Sequence, residues 1–334
     1  MPERDARPLV EAEGLRKSFG ETTAVRGVSL TVRPGEAYGL VGPDGAGKTT
    51  TMRLLVGALR MDDGWARIDG HDIATDTERA RAELGYLAQR FSMYGDLTVA
   101  ENVRFFGQIR GVAGAELAAR TAELLGFVGL TGFEDRMSAV LSGGMKQKLG
   151  LACALIHRPR VVLLDEPTGG LDPVTRQDFW QLIIRLIADG AAVIVSTPYM
   201  DEAVRCTRLG FLRDGAMLTE GAPSALTAPF ADRILEVIAA PRATVLAVVA
   251  ADPDVEDVAA FGDRFHVRVR AASGPLGRLP AALTAAGARV QTVRPIPATL
   301  EDAFIALLAA DAPDAPPAAT LSPAAVPAGA QAAR

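Results

Sequence analysis

Apolar runs bounded by turns alternate with helical patterns along the first part of the chain. The run at 161–164 is continuously apolar, which is typical of a strand buried on both faces of a parallel sheet. Strand-like runs at 37–41, 84–87 and 192–196 and a helical pattern at 176–188 extend the alternation. This order predicts an α/β core made of β–α–β units with right-handed crossovers.

Two further patterns surround this core. Residues 9–32 contain strand-like runs separated by a turn, and a second hairpin is indicated at 62–70, so we predict an antiparallel β subdomain. Residues 91–156 are helical in pattern and include a capping box, Thr98-Val99-Ala100-Glu101. They predict a helical insertion between strands of the core.

The region after 229 is richer in alanine and valine. Its strand and helix patterns follow the order β-α-β-β-α-β, which predicts a small α+β unit of the ferredoxin-like type. A last helix is capped at Thr299 and runs to about 308. We therefore predict three segments: a first domain at 8–228, a second domain at 229–310 and a disordered Ala/Pro-rich tail at 311–334.

Composition and charge narrow the function classes. Of 334 residues, 49% are hydrophobic and 22% are charged, as in ordinary globular proteins, and the length favours two domains. The formal net charge of -5 argues against a general nucleic-acid-binding protein. Cys153 and Cys206 lack the spacing of metal ligands and the density of a disulfide scaffold, which favours a reducing compartment. Because the sequence has neither an apolar signal core at its start nor a stretch of bilayer length, we expect any membrane association to come through a partner.

The glycine-rich stretch 42–49 has the sequence of a Walker A phosphate loop. It follows the strand pattern at 37–41 and precedes a helical segment at 50–59, which is the context that such a loop requires. Its glycines let backbone N–H groups turn toward phosphate oxygens, the helix N-terminus adds partial positive charge, and Lys48 adds a full one. The Thr49 hydroxyl is expected to bind Mg²⁺. The candidate nucleotide-binding residues of this segment are Gly42, Pro43, Asp44, Gly45, Ala46, Gly47, Lys48, Thr49 and Thr50.

Two other stretches carry candidate chemistry. Leu141-Ser142-Gly143-Gly144 opens a helix whose exposed N–H groups form another anion-binding end. Asp165 and Glu166 end the buried run at 161–164, and packing explains two carboxylates there poorly.

In their order and separation, these motifs resemble the ATP-binding cassette of ABC transporters. The resemblance covers about 8–225 and implies a P-loop NTPase of ABC type, with two cassettes that meet head to tail around two ATP molecules, as a homodimer or a paired heterodimer. The phosphate loop of one cassette would face the LSGG helix of the other. The motifs are GPDGAGKT at 42–49, Gln89, LSGG at 141–144, VVLLDE at 161–166 and Gly170-Leu171-Asp172.

The resemblance also implies roles for single residues. Asp165 would help hold Mg²⁺, with Thr49 and Gln89 completing its surroundings. Glu166 would polarise the attacking water, and Lys48 and Gln89 would be catalytic with it. Without the family, an ordinary strand-end amide explains Gln89 equally well. The implied contacts to ATP bound by the partner cassette come from Leu141, Ser142, Gly143, Gly144 and Asp172.

Phe19 has two interpretations. It is a candidate for stacking on the adenine ring of ATP, and from its spacing it is almost equally a core aromatic residue. Met145 is a first departure from the family, because the signature commonly has glutamine there, although Ser142 and the glycines are intact.

Pro198 is a second and larger departure. It lies in the segment 196–203, which looks like the family's switch segment, at the position where the family has histidine. Proline has neither a side-chain donor nor an N–H group. One interpretation is a cassette that hydrolyses ATP slowly and serves mainly as a switch. The other is that a neighbouring hydroxyl or Lys48 stabilises the transferring phosphoryl group. We favour retained hydrolysis because Asp165 and Glu166 are both present.

Further segments resemble the ATPase subunits of multidrug-type exporters, which serve separate type-2 ABC permeases. We therefore expect an exporter subunit at the cytoplasmic face of the inner membrane, with a groove near 89–97 that grips a permease helix. Phe91, Met93 and Tyr94 suit that groove, and helix-core packing is the alternative for each. The segments are FSMYGDLT at 91–98, DPVTR at 172–176, YMDEA at 199–203 and LEDAF at 300–304.

The second domain is similar to an accessory domain of that branch, and regulatory, dimer-stabilising and covering roles stay open for it. Two alternatives to an exporter subunit also stay open. The first is a slow-hydrolysing nucleotide switch, which Pro198 motivates. The second is a soluble ABC ATPase acting on nucleic acids or ribosomes. A single compact cassette with an acidic balance disfavours it, so we expect no nucleic-acid partner.

Overall fold

The computed structural model describes residues 7–90, 93–310 and 320–321 and divides into two units, Met1–Pro223 and Ser224–Arg334. The division lies close to the end at 228 that the sequence predicts for the first domain. In chain order, the first unit contains β1 Val10–Phe19, β2 Thr22–Val32, β3 Ala37–Val41, α1 Lys48–Leu55, β4 Asp63–Ile68, β5 His71–Asp72, α2 Thr77–Ala82, β6 Leu84–Leu87, α3 Val99–Ile109, α4 Gly114–Phe127, α5 Gly143–Leu155, β7 Val161–Asp165, α6 Pro173–Ala188, β8 Ala192–Thr197, α7 Met200–Ala203, β9 Arg208–Arg213 and β10 Ala216–Gly221.

The first unit is built on a six-stranded sheet in the order β10-β9-β3-β8-β7-β6. Its strands are parallel, except that β10 is antiparallel to β9. Every residue of β3, β7 and β8 is buried. Along β7, Val162 and Leu164 belong to one apolar cluster, and Val161 and Leu163 belong to another. The prediction of a strand buried on both faces is therefore confirmed.

A second sheet, in the order β2-β1-β4-β5, is antiparallel and confirms the predicted β subdomain. Its inner face shares an apolar cluster with α1, in which Leu15 and Val28 of the sheet accompany Met52 and Leu54 of the helix. The sequence pattern missed α2, β9 and β10. In α2 the sequence TERARA has no apolar periodicity, so its helical form could not be inferred from hydrophobic spacing.

The helical insertion contains α3, α4 and α5, which pack around one apolar cluster. The predicted capping box at the start of α3 is confirmed, because the Thr98 hydroxyl accepts from the Glu101 N–H group (3.2 Å) and the Glu101 carboxylate accepts from the Thr98 N–H group (2.8 Å). The buried Asn102 side chain donates to the carbonyls of Tyr94 (3.0 Å) and Leu97 (3.2 Å). It fixes the loop that precedes α3.

The second unit confirms the predicted β-α-β-β-α-β order. Its four principal strands form an antiparallel sheet in the order β14-β11-β13-β12. The predicted tail at 311–334 lies outside the described residues, except for the pair that forms β15 beside β12. From the division onward, the elements are α8 Pro223–Thr227, β11 Ile234–Ala240, α9 Arg242–Ala250, β12 Val255–Phe261, β13 Arg264–Val269, α10 Ser273–Ala285, β14 Arg289–Ile296, α11 Leu300–Ala310 and β15 Thr320–Leu321.

The last helix of this unit is anchored by a polar pair. His266 Nδ1 of β13 lies 2.8 Å from Asp302 Oδ1 of α11, and Asp302 also caps the helix through Thr299. Among the residues that the structure describes, none of the helices is both long enough and apolar enough to span a bilayer.

Candidate active site

The loop between β3 and α1 can be formed only with glycine at two positions. Gly47 is the N-cap of α1 and has a φ of 99°, and a Cβ atom there would lie 2.5 Å from the Ala24 carbonyl oxygen. A Cβ atom at Gly42 would lie 2.3 Å from the Leu212 carbonyl oxygen. The loop is therefore held close to neighbouring backbone and leads directly into the start of α1, where backbone N–H groups can bind phosphate.

Lys48 lies at the first position of α1 and is buried. Its ammonium group donates to the carbonyl oxygens of Gly42 (2.8 Å) and Pro43 (3.0 Å) and lies 3.2 Å from Glu166 Oε1. The same ammonium group lies 4.0 Å from Asp44 Oδ1, so oxygens of the loop and of Glu166 surround it. The lysine thus joins the phosphate loop to the end of β7.

Asp165 ends β7 with no exposed surface and accepts three hydroxyl hydrogen bonds. Oδ1 accepts from the Ser196 hydroxyl (2.7 Å) and the Thr49 hydroxyl (3.1 Å), and Oδ2 accepts from the Tyr86 hydroxyl (3.3 Å). The carboxylate is consequently fixed beside the Thr49 hydroxyl at the start of α1. These contacts bring together two residues that are 116 positions apart in the sequence.

Glu166 follows with a left-handed backbone, at a φ of 48°. Its Oε1 faces the Lys48 ammonium group (3.2 Å), and its Oε2 accepts from Gln89 Nε2 (2.8 Å). The structure therefore brings the three predicted catalytic residues, Lys48, Gln89 and Glu166, into direct contact. Their catalytic roles stay predictions. The contact with Glu166 weakens the alternative in which Gln89 is an ordinary strand-end amide.

Sequence reasoning missed Tyr86 and Ser196. Burial is the largest effect that raises the pKa of Tyr86, to about 12, and the negative charge of Asp165 adds to it. The phenol therefore stays protonated and donates to Asp165 at neutral pH. In the sequence, both residues lie inside apolar strand patterns, and no local signal marks either one as a partner of the acidic pair.

The donor set at Thr49 and Asp165 fits Mg²⁺. Both side chains offer oxygen, which this hard cation prefers, and it usually keeps several waters and substrate phosphate oxygens as further ligands. Within the described ranges, no group of three or more His, Cys, Asp or Glu side chains could hold a metal ion, so an all-protein cage is absent there. Gln89 donates its amide to Glu166, and its predicted place near the metal stays a prediction.

Ser142 and Asp172 cap exposed helix starts. The Ser142 hydroxyl accepts from the Met145 N–H group (3.3 Å) at the start of α5. The Met145 side chain packs against the apolar cluster of the helical insertion, which accounts for an apolar residue at this departure. Asp172 accepts from the Val174 N–H group (3.1 Å) at the start of α6, and hydrogen bonds from Thr175 lower the pKa of its carboxyl.

Phe19 is half exposed, at 51%, with the Lys17 ammonium group 5.7 Å from the centre of its ring. This exposure rules out the core-aromatic interpretation. Stacking on adenine stays a prediction.

The switch segment is anchored by the buried carboxylate of Glu202. It accepts from the hydroxyls of Thr168 (2.5 Å) and Thr197 (2.8 Å). The Arg176 guanidinium lies 4.8 Å from the centre of the Tyr199 ring. The backbone on both sides of Pro198 is therefore held by contacts that involve no histidine.

Comparisons with curated proteins place this geometry in a family. A protein-family sequence model with the description "ABC transporter" matches residues 25–169 of this chain. The probable multidrug ABC transporter ATP-binding protein of Escherichia coli (strain K12) is 43% identical over 227 residues, which are 67% of this chain and 39% of that protein. The chain thus spans about two fifths of that relative's length.

This chain covers a larger share of the length of two other curated relatives. The Nod factor export ATP-binding protein I of Paraburkholderia xenovorans is 43% identical over 68% of this chain and 74% of its own length. The daunorubicin/doxorubicin resistance ATP-binding protein of Streptomyces peucetius is 36% identical over 68% of this chain and 69% of its own length.

Solved structures agree with the curated relatives. An ATP-binding subunit of an ABC transporter has a TM-score of 0.61 and 29% identity, with 66% of this chain and 93% of that chain covered. A dimeric ATP-binding cassette in a post-hydrolysis state, bound to ADP and Pi, has a TM-score of 0.59 and 29% identity, with 64% and 98% covered. Together with the phosphate loop and the acidic pair at the end of β7, these matches establish that the chain belongs to the family of ABC transporter ATP-binding proteins.

Proposed function

We propose that this chain is the ATP-hydrolysing subunit of an ABC exporter, in which two cassettes close on ATP and drive a separate membrane permease. The contact between Lys48 and Glu166 (3.2 Å) carries the proposal, because a carboxylate that lies beside the lysine of the phosphate loop is a suitable candidate for the general base. The relatives' names, which include multidrug transport, Nod factor export and daunorubicin/doxorubicin resistance, support export and favour drug-like cargo.

The residues of the phosphate loop and those at the end of β7 have different roles in the proposed reaction. The N–H groups at the start of α1 and the Lys48 ammonium group bind phosphate oxygens and stabilise the charge of the transferring group. Glu166 accepts a hydrogen bond from the attacking water, and Gln89 orients the Glu166 carboxylate through Oε2 (2.8 Å). Mg²⁺, when bound by Thr49 and Asp165, supplies positive charge that offsets the charge of the phosphates.

Hydrolysis does not depend on histidine at position 198 in this proposal. Phosphoryl transfer relies mainly on positioning and on charge stabilisation, and the Lys48 ammonium group and the Thr49 hydroxyl provide both at the loop. The Pro198 ring cannot donate a hydrogen bond to the γ-phosphate, and this favours the alternative of a slow switch.

Dimerisation would use the exposed helix starts at Ser142 and Asp172. Both are open to solvent, so a second cassette can present them to ATP bound in the loop of the first. The γ-phosphate would then join the two cassettes, and its loss would let them separate.

The permease would contact the segment near 89–97. Tyr94 is 50% exposed and packs edge to face against Phe105, with ring centres 4.8 Å apart, so part of its ring is available to a partner. Met93 packs against the apolar cluster of the helical insertion, which favours a role in the core for this residue. Phe91 lies outside the described residues. In this arrangement the chain is a peripheral subunit at the cytoplasmic face of the membrane.

The ATPase proposal is tested with Glu166→Gln. Glutamine keeps the shape of the side chain but cannot act as a base, so the rate of ATP hydrolysis by the purified chain should fall about 10²-fold or more. Glu78→Gln is the matched control, because its side chain is 89% exposed on α2, and it should keep the wild-type rate. Equal turnover in wild type and Glu166→Gln would end the assignment of Glu166.

Export is tested separately. The chain is co-expressed with a candidate multi-span permease, and membranes are isolated with and without nuclease treatment. We expect the chain to sediment with membranes when the permease is present and to be insensitive to nuclease. Association with ribosomes or nucleic acid that nuclease removes would favour the soluble alternative.

A further inference from the structure

Ser196 occupies a junction between the switch segment and the acidic pair. It lies in β8, has no exposed surface, and pairs in register with Asp165 of β7. Its hydroxyl donates to Asp165 Oδ1 (2.7 Å) and accepts from the Glu166 N–H group (3.0 Å). The Ser196 hydroxyl is therefore a donor to Asp165 and an acceptor for Glu166, which are consecutive residues.

The second of these contacts falls where the backbone is strained. Glu166 has a φ of 48°, a conformation that residues other than glycine rarely adopt and that persists only where the surroundings enforce it. Both the hydroxyl (3.0 Å) and the carbonyl oxygen (3.2 Å) of Ser196 accept from the Glu166 N–H group. This backbone conformation determines where the Glu166 carboxylate lies relative to Lys48 and Gln89.

We propose that Ser196 is a positioning residue for ATP hydrolysis, which acts by holding the Glu166 backbone and does not touch the substrate. The inference rests on the proposed ATPase function. It also gives the switch segment of this chain a role that does not depend on its missing histidine. Ser196 is two residues before Pro198 and links this segment to both acidic residues.

A purely structural role for Ser196 makes a different prediction. If the hydroxyl only satisfied buried polar groups, its loss would lower stability and leave the turnover of the folded protein unchanged. If the hydroxyl positions Glu166, its loss would lower kcat and change the KM for ATP little, because the phosphate loop that binds ATP would be intact.

The test is Ser196→Ala, with ATPase kinetics, nucleotide affinity and thermal unfolding measured on the full chain. We expect kcat to fall about tenfold, while the KM for ATP and the affinity for ADP change less than about threefold. Thr121→Val is the matched control, since the buried Thr121 hydroxyl donates to the Leu117 carbonyl (2.7 Å) within α4, away from the site. It should lower the unfolding temperature and keep kcat within about twofold.

A double-mutant cycle with Glu166→Gln distinguishes positioning from a purely structural role, because it measures whether the two substitutions lower the ATPase rate independently. If Ser196 acts through Glu166, then Ser196→Ala should lower the residual rate of Glu166→Gln less than about twofold. If Ser196→Ala does not fold, Ser196→Cys takes its place, because a thiol has a similar volume but accepts only weakly from the Glu166 N–H group, so a loss of kcat is again expected.

Three results would overturn the inference: wild-type kcat in the serine variant, a loss of kcat in Thr121→Val as large as in Ser196→Ala, or full additivity with Glu166→Gln. A wild-type protein without ATPase activity would instead refute the proposed function. The two failures are therefore distinguishable.

Discussion

At the scale of single residues, two adjacent acidic side chains have different partners and therefore different surroundings. The Asp165 carboxylate is fully buried among hydroxyl groups, whereas the Glu166 carboxylate faces the Lys48 ammonium group and the Gln89 amide. The first environment suits a fixed oxygen ligand, and the second suits a group that exchanges hydrogen bonds during turnover.

Pro198→His tests whether the missing histidine limits turnover. We expect kcat to change less than about threefold, because the donors at the loop and the candidate base are already in contact without it. The measurement is the steady-state ATPase rate of the purified variant. A rise of about tenfold or more would contradict the expectation and support the slow-switch alternative.

At the scale of elements, the end of α5 is joined to β6 by a histidine that the sequence motifs did not include. His157 Nε2 lies 3.1 Å from the Leu84 carbonyl oxygen, while Nδ1 is buried without a partner among the residues described. Burial is the largest effect that lowers the pKa of His157, to about 4 from 6.5, and the positive charge of Arg110 adds to it. The neutral imidazole is therefore the form that the folded protein favours.

The free energy of unfolding of the first unit should consequently decrease at acidic pH. Above pH 6.5 His157 is neutral in the folded and unfolded chain; as the pH falls from 6.5 to about 4, only the unfolded chain takes up the proton, so the free energy of unfolding decreases. His157→Gln, which can still donate to Leu84, should show a smaller fall in unfolding temperature between about pH 7 and pH 4.5. Equal falls in both proteins would exclude His157 as the cause.

The start of α3 should lose protection when its cap is removed. In Thr98→Ala the Glu101 N–H group loses its side-chain acceptor, at a cost of about 1 kcal/mol, so amide hydrogen exchange in the first turn should speed up about fivefold. Thr98→Ser keeps the acceptor and should exchange at the wild-type rate. Unchanged exchange in Thr98→Ala would mean that the Asn102 contacts alone hold this turn.

The predictable parts of the fold are those whose cause is local. The phosphate loop and the Thr98 capping box were recognised because each depends on residues that are neighbours in sequence. The partnership of Ser196 with Asp165 could not be recognised, since 31 positions separate them and the register of two parallel strands brings them together. Short polar α2 was missed because tertiary contacts, and not apolar spacing, decide its conformation.

At the scale of the whole molecule, the chain is a cassette followed by a second unit with a core of its own. That core is formed by Leu235, Val237, Phe265, Val267 and Leu283, among others. The regulatory, dimer-stabilising and covering roles of this unit stay predictions. The starts of α5 and α6 are exposed, and under the proposed function a second copy would use them to complete the ATP sites.

ATP should therefore join two chains. In saturating Mg-ATP, Glu166→Gln should sediment as a dimer, because ATP persists when hydrolysis is blocked. Adding Ser142→Glu should return it to monomer, since a carboxylate at the start of α5 repels the γ-phosphate, whereas Ser224→Glu, an exposed control in the second unit, should not. A monomer in the first experiment, even with the permease present, would contradict the head-to-tail arrangement.

The three oxygens around the Lys48 ammonium group have one further consequence. Under the proposed function, a phosphate oxygen that binds this cation competes with these oxygens, and the side chain of Glu166 is more easily displaced than the two loop carbonyls. Capture of the substrate and release of the carboxylate are then one exchange of partners. In the proposed reaction, binding of the substrate phosphate at Lys48 would also free the Glu166 carboxylate to accept a hydrogen bond from water.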